Sequence, residues 1–377
     1  MIIRAATSAD IEALVGIEDR SFDPTDRLSR RSFRYLLTKA HGTLLVAEDE
    51  GKIFGYAAVL LNAGTALARL YSFAVDAHCR RHGVGNALLA AAEHFAEESD
   101  GVCLRTEVRK DNEPAVRFLK QRGYRRFGVL LAHYDDDMDA LRYEKTVVSP
   151  HGESIRVPYY QQTMDFTCGP AALMMAMQAL DPVLTLDRKL ETRLWRESTT
   201  IFMTSGHGGC GPYGMALSAY HRDFDVEVYV NTATALFIDS VRNPEKKEVM
   251  RLVEEDFLEE IRTSSILVHD TGLCLGELED RFRSGWIPVV LISSYRIYQE
   301  KFPHWLVVTG FDDRYIYVHD PLIEPERGIT FVDRVNMPIL KREFEHMTRY
   351  GKVGQKAALV LRKRSTTSGV LPSRTVS

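Results

Sequence analysis

Long apolar runs are missing from this 377-residue chain, and none approaches the roughly 18 residues that a membrane span needs. Charge of one prevailing sign is missing too. Lys and Arg number 48 against 52 Asp and Glu, and a net charge of −4 gives no electrostatic reason to expect nucleic acid or an anionic membrane as partner. Cysteine is scarce. Cys79, Cys103, Cys168, Cys210 and Cys274 are odd in number, widely spread and without a Cys-x-x-Cys pair, which argues against a disulfide framework and a structural zinc site. The start, Met1-Ile2-Ile3-Arg4, lacks the pattern of a signal peptide, so a cytoplasmic location is expected. There is no Walker A motif and no internal repeat. What is present is ordinary for a soluble protein, 45% apolar and 27% charged, and long enough for two or three cores.

Residues 1–147 read as alternating strands and helices. Ile2–Ala5 is a strand. Ser8 is placed to cap a helix reaching Arg20, and Ser29 a second through Ala40. Strands at 44–48 and 53–61 flank the turn Asp49-Glu50-Gly51-Lys52. A central strand runs from Leu67 to Val75, and a helix from Gly85 to Glu98 carries Leu88, Leu89, Ala92 and Phe95 on one face. Strand 103–108, helix 113–122 and strands near 127–131 and 141–147 complete the region. The turn-forming run 148–154 is expected to be a linker. A second domain is expected over 155–362, with an amphipathic helix 245–262 whose stripe is Val249, Leu252, Val253, Leu258 and Ile261. Residues 363–377 are expected to form a disordered tail.

In the first domain, Gly83 and Gly85 lie between a strand and a helix start. Glycines there let successive N–H groups point outward, and the helix dipole adds positive potential, which together make an anion site. Such a loop is also an ordinary strand-to-helix turn. The run Arg80-Arg81-His82-Gly83-Val84-Gly85-Asn86-Ala87-Leu88-Leu89 resembles the acetyl-CoA pyrophosphate loop of the GNAT N-acetyltransferases. Glu107 to Ala115 and Arg122-Gly123-Tyr124 resemble that family's later motifs. The likeness is strongest to the branch that acetylates protein N-terminal amines. It implies acetyl-CoA as co-substrate, held by Val75, Arg80, Arg81, His82, Gly83, Val84, Gly85 and Asn86, with Asn112 on the CoA arm. It also implies Glu107 as general base, acting directly or through water. One departure stands out. That branch often has a tyrosine to protonate the CoA thiolate where this chain has Leu119, beside Phe118; Tyr134 or water is the substitute. The acidic run 135–139 reads as a solvated loop, not a metal site.

The second domain carries Cys168-Gly169-Pro170 at a helix start. A thiol nucleophile acts as thiolate, which a helix N-terminus favours, and proline suits a first turn. A lone cysteine is more commonly small core filling. Its partners change that reading. His304 and Asp320 flank a hairpin turning at Asp312-Asp313, roughly equidistant from the turn, so an antiparallel pair would bring them together. Asp320 would orient His304. Gln162, six residues before Cys168, would aim its amide at a developing oxyanion. Gln161 reads as a solvent-facing neighbour, His319 as facing the other side of its strand, and Cys210 as structural or part of a substrate loop.

The set Gln162, Cys168, His304, Asp320 resembles the C39-like cysteine peptidases, of papain-like fold. Two differences are Thr167, where the leader peptidases usually have Asp, and the lack of an adjoining transporter or ATPase. The expected fold class is therefore α/β and α+β: a GNAT mixed-sheet domain followed by a papain-like peptidase domain. The expected function is a bifunctional peptide-processing enzyme with a peptide or protein substrate, acetyl-CoA and no metal. An acyl-CoA-sensing domain that gates a peptidase or acyl-transfer enzyme is the alternative.

Overall fold

The computed structural model describes residues 1–148, 152–199, 202–203, 206–232, 235–238, 241–324, 331–351 and 353–364. The first unit runs β1 (Ile2–Ala5), α1 (Ile11–Ser21), α2 (Arg30–Thr38), β2 (Gly42–Asp49), β3 (Lys52–Leu61), β4 (Leu67–Val75), α3 (Val84–Glu98), β5 (Cys103–Arg109), α4 (Glu113–Gln121), β6 (Arg125–Leu130) and β7 (Ala140–Thr146). The strands form one mixed sheet in the order β1-β2-β3-β4-β5-β7-β6. Local chemistry sets the ends. Ser29 accepts from Ser32 N–H at 3.1 Å and starts α2, and Asn112 accepts from Ala115 N–H at 3.1 Å and starts α4. The first helix differs from expectation. Thr7, not Ser8, is the cap, and Ser8–Asp10 is a 3-10 turn in which Asp10 answers Thr7 in a capping box.

The second unit adds β8 (Glu153–Ser154), α5 (Cys168–Leu180), α6 (Arg188–Ser198), β9 (Phe202–Met203), β10 (Gly206–His207), α7 (Pro212–Tyr220), β11 (Phe224–Val230), α8 (Pro244–Arg262), β12 (Leu267–His269), α9 (Leu275–Arg283), β13 (Ile287–Ser293), α10 (Tyr295–Tyr298), β14 (Pro303–Phe311), β15 (Tyr315–His319), α11 (Phe331–Arg334), β16 (Met337–Leu340), α12 (Lys341–Met347) and β17 (Ala357–Lys363). Its main sheet has the order β12-β11-β17-β13-β14-β15-β16, with β8 also on β14. The period-2 rule of strands explains its two cores. Ile287, Val289, Leu291, Trp305 and Val307 pack with α5 and α7, while Val290, Ile292, Leu306 and Val308 pack with α9 and α12. Both faces are covered, so β13 and β14 read as continuous apolar runs.

Three expectations shift here. Glu153 and Ser154, assigned to the linker, pair with Phe311 and Gly310. Lys363, assigned to the tail, ends β17, and its Nζ meets Asp181 at 2.8 Å. The rest of the tail from residue 365 and linker residues 149–151 lie outside the described residues. On α8, Ile261 is buried and Leu258 packs against the core as expected, but Val249 and Leu252 are exposed and Met250, outside the expected stripe, is buried.

The two units touch. Leu67 and Cys103 of the first sheet join a core of the second unit. Ala66 N–H donates to Pro338 O at 2.8 Å, Tyr315 Oη donates to Asp100 O at 3.1 Å, and Arg314 and Arg342 both pair with the Asp100 carboxylate. Among the described residues, no helix is long and apolar enough to cross a membrane.

Candidate functional site

Cys168 is the first residue of α5, with Pro170 in the first turn where its missing donor costs nothing. The helix start is packed tightly. A Cβ added to Gly169 would lie 2.8 Å from Met215 Sδ, 3.2 Å from Trp305 Cδ1 and 3.3 Å from Cys210 Cβ, so only glycine fits there. The loop before Cys168 is organised by one buried carboxylate. Glu191 on α6 accepts from Thr163 N–H at 2.8 Å, Thr163 Oγ1 at 2.6 Å, Tyr160 Oη at 3.0 Å and Thr167 Oγ1 at 2.5 Å. Thr167 is thus held by its own partner where the peptidases it resembles usually have Asp.

The hairpin of β14 and β15 brings His304 and Asp320 together. His304 Nε2 lies 2.6 Å from Asp320 Oδ1, and the pair is 1% and 0% exposed. The Cys168 thiol is close enough to the same imidazole to act on its charge. Asp320 is saturated with donors. Leu322 N–H reaches Oδ1 at 2.9 Å and Tyr298 Oη reaches Oδ2 at 2.5 Å; Tyr159 Oη holds the backbone carbonyl at 3.0 Å. The Arg334 guanidinium sits 3.8 Å from Oδ2 and over the Tyr298 ring. Burial alone pushes the His304 pKa down; the facing carboxylate and then the thiol outweigh it and raise it to about 10. Burial pushes Asp320 up, and His304, Arg334 and Tyr298 leave it below its ordinary value. An imidazolium fixed by a buried carboxylate and facing a thiol is the arrangement that stabilises a thiolate.

Gln162 is buried, and its backbone N–H donates to Pro321 O at 3.0 Å, beside Asp320. One hydrogen of Nε2 goes to Met164 O at 2.9 Å, which leaves the second for another acceptor; Oε1 is buried without a hydrogen-bond partner. Gln161 is exposed. His319 is structural. Its Nδ1 accepts from Asn336 N–H at 2.9 Å and its Nε2 faces Val157 O at 2.9 Å, which fixes a neutral tautomer. Cys210 is buried beside Gly169, its carbonyl accepts from Trp305 Nε1 at 3.3 Å, and burial holds its thiol well above the ordinary range.

The first unit's expected cofactor residues form a different kind of site. Strands β4 and β5 pair in parallel at Leu67–Arg69 and Cys103–Arg105. The loop into α3 follows the far end of β4. Arg81 and Gly83 have φ of +66° and +84°, and no side chain caps α3. The N–H groups of Val84, Gly85 and Asn86 start the helix, and Ala87 N–H is the first bonded back, to Gly83 O at 3.0 Å. Arg80 Nε is tied to Val75 O at 3.1 Å, and His82 Nδ1 lies 2.9 Å from Arg80 O. Asn112 Oδ1 is engaged as the α4 cap, so only its amide N–H groups remain for the CoA arm. The donors the loop offers are backbone N–H groups.

Glu107 lies on β5 and is nearly buried, but each of its oxygens already has a guanidinium partner: Arg69 Nε at 2.7 Å and Arg142 Nε at 3.3 Å. Direct proton abstraction would have to break an ion pair. Leu119 is buried in the core of this unit, whereas Phe118 stacks on Phe73 at 5.9 Å beside Gly85. Neither donates a proton. Tyr134 is half-buried under Arg109; burial, with Asp26 next, pushes its phenol up to about 12, so it is protonated at neutral pH.

Residues 157–362 match the Peptidase C39 like family, and residues 11–124 match the acetyltransferase (GNAT) family. This chain belongs to the Peptidase C39 like family and carries a GNAT acetyltransferase domain before it. An uncharacterized N-acetyltransferase of Methanocaldococcus jannaschii is 32% identical over 145 residues, 37% of this chain and 88% of that protein. The N-alpha-acetyltransferase RimI of Mycobacterium tuberculosis is 27% identical over 134 residues, 35% of this chain and 83% of that protein. A solved structure of Ard1 from Thermoplasma volcanium matches at 28% identity and a TM-score of 0.36, covering 39% of this chain and 98% of that one.

Sequence reasoning missed Glu191, Tyr298, Tyr159 and Arg334 around the thiol site. Glu191 had one faint signal, a carboxylate between Leu190 and Leu194 on the buried side of α6. The others come from separate elements and share no spacing.

Proposed function

We propose that the C39-like domain is a cysteine peptidase and that the GNAT domain acetylates the amine it releases. The observation that carries the first half is the Cys168 thiol beside an imidazole held 2.6 Å from a fully buried Asp320. In the first step Cys168 Sγ attacks the carbonyl carbon of a peptide bond, with the oxyanion taken by the free Nε2–H of Gln162 and the backbone at the α5 start. His304 then gives its proton to the departing amine nitrogen, and the C–N bond breaks. Water, losing a proton to His304, attacks the thioester and releases the acid and the thiol.

The released α-amine is the acceptor that a GNAT N-acetyltransferase of the amine-terminus type takes. It attacks the acetyl carbonyl; the C–S bond of acetyl-CoA breaks. Because both Glu107 oxygens are engaged, the amine's proton passes to Glu107 through water, and Tyr134 protonates the CoA thiolate. Val75, the run Arg80 to Asn86 and Asn112 hold the cofactor, chiefly through backbone N–H groups. We place the junction between the domains at 148–152 and the reaction in the cytoplasm.

The test incubates purified full-length chain with a peptide library, with and without acetyl-CoA. New amine termini made only by Cys168-intact protein, and acetylated only when acetyl-CoA is added, support both halves. Cleavage without acetylation favours the alternative, an acyl-CoA-sensing domain that gates the peptidase; the apolar Phe118 and Leu119 motivate that reading.

A further inference from the structure

Short helix α11 stands between the two candidate sites. Its Asp333 takes Arg142 of β7 in a fork, Nη1 to Oδ2 at 2.8 Å and Nη2 to Oδ1 at 2.5 Å, and Arg105 of β5 at 3.4 Å. Both arginines lie over the Phe127 ring. Arg142 is nearly buried, and its Nε is the donor that reaches Glu107. The next residue, Arg334, faces the other way. Its carbonyl accepts the Asp320 N–H at 3.0 Å, so the helix grips the backbone of the candidate triad directly. Its guanidinium is buried, 3.8 Å from both Asp320 Oδ2 and Glu324 Oε2, and its Nε has no hydrogen-bond partner among the described residues. A buried cation so loosely paired is costly where it stands. Two residues on, Asn336 N–H fixes His319, the neighbour of Asp320.

We propose that Asp333 and Arg334 are positioning residues for Cys168, His304 and Asp320, and that Arg142 of the acetyltransferase sheet anchors them, so that thiol reactivity depends on the first domain. This rests on the thiol reading given above. The route is continuous: Glu107, Arg142, Asp333, the peptide bond to Arg334, Asp320, His304, Cys168. By linkage, an amine drawn to Glu107 changes peptide affinity at Cys168, and a peptide there changes amine affinity by the same factor.

The test uses the full chain and the rate of Cys168 alkylation by iodoacetamide from about pH 5 to about pH 9, the range that brackets free imidazole and thiol titration. The groups facing His304 in that range are Asp320, Cys168, Tyr298 and Arg334, with Tyr159 and Glu324 behind them. Asp333→Asn and Arg142→Lys are expected to slow alkylation near pH 6 by about fivefold, the size of ordinary site-to-site coupling, and to move the pH profile. Arg314→Ala, which loosens the same interface at Asp100, leaves rate and profile unchanged. Should Asp333→Asn lack a cooperative melt, Arg142→Lys, which keeps a cation between the carboxylates, decides. The proposal is overturned if these variants match wild type, or if Arg314→Ala slows alkylation as much as they do. A wild-type Cys168 that is sluggish at pH 6 overturns the thiol reading itself, and this proposal with it.

Discussion

The two candidate sites of this chain store their chemistry in opposite ways. At the thiol site the working groups are side chains sealed from water: His304 and Asp320 are 1% and 0% exposed, and their partners come from α5, α10, α11 and the segments at Tyr159 and Leu322. At the cofactor loop Arg80, Arg81, His82 and Gly83 are exposed, and the donors are backbone N–H groups at a helix start. A buried charge network is unforgiving, because each member lost leaves another unpaired. A backbone cradle tolerates almost any side chain but not a change of backbone conformation. One site is fixed by residue identity, the other by φ and ψ.

Substitutions sharpen or break that contrast. The largest effect is expected for Cys168→Ala, which should cut amide cleavage by at least about a thousandfold, as loss of a nucleophile does, without changing acetyl-CoA affinity by calorimetry. Next comes Asp320→Asn. It should lower cleavage by about a thousandfold or more through the wrong imidazole tautomer, and destabilise the fold by about 3 kcal/mol in a denaturant titration. Equal acetyl-CoA affinity in both variants would show that cofactor binding itself does not depend on the thiol site. Glu107→Gln should reduce acetyl transfer by about a hundredfold, the range of one general base, and change cleavage by no more than the roughly fivefold coupling expected through Arg142. Gly83→Ala is smaller still. Its φ of +84° is a left-handed conformation, so the alanine should cost about 1 kcal/mol of stability and weaken acetyl-CoA binding, with cleavage untouched.

The smallest effect is on pH. His304 is raised from 6.5 to about 10, so the stability it contributes is fully present below about pH 6.5 and is lost as pH rises toward 10. Asp320 is lowered from 3.8, so its contribution is present above that value and is lost as pH falls below it. Thermal melting should therefore decline above neutrality more steeply in wild type than in His304→Gln. Parallel curves would remove the ion pair.

The same contrast explains what the sequence disclosed. Cys168, His304 and Asp320 were legible because a helix start and a hairpin turn predict proximity from spacing alone. The turn from Arg80 into α3 was legible because glycine readily takes the positive φ that Gly83 adopts there. The misread features depend on tertiary packing. The α8 stripe is one: Val249 and Leu252 fit an apolar period yet stay exposed, while Met250, off that period, is buried. The ion pairs of Glu107 were equally invisible to spacing, since Arg69 and Arg142 come from two other strands. Arg334 sits fourteen residues past Asp320 with no periodic relation to it.

The measurement that bears most directly on the thiol site is alkylation of the five cysteines by iodoacetamide near pH 6, where a free thiol barely reacts, mapped by peptide mass. Exposure supplies the controls: Cys274 is open to solvent, Cys79 partly so, and Cys103 and Cys210 are buried. The expected result is fast labelling of Cys168 alone, abolished in His304→Ala. Labelling of Cys168 no faster than that of Cys274, or indifferent to the His304 change, would contradict it.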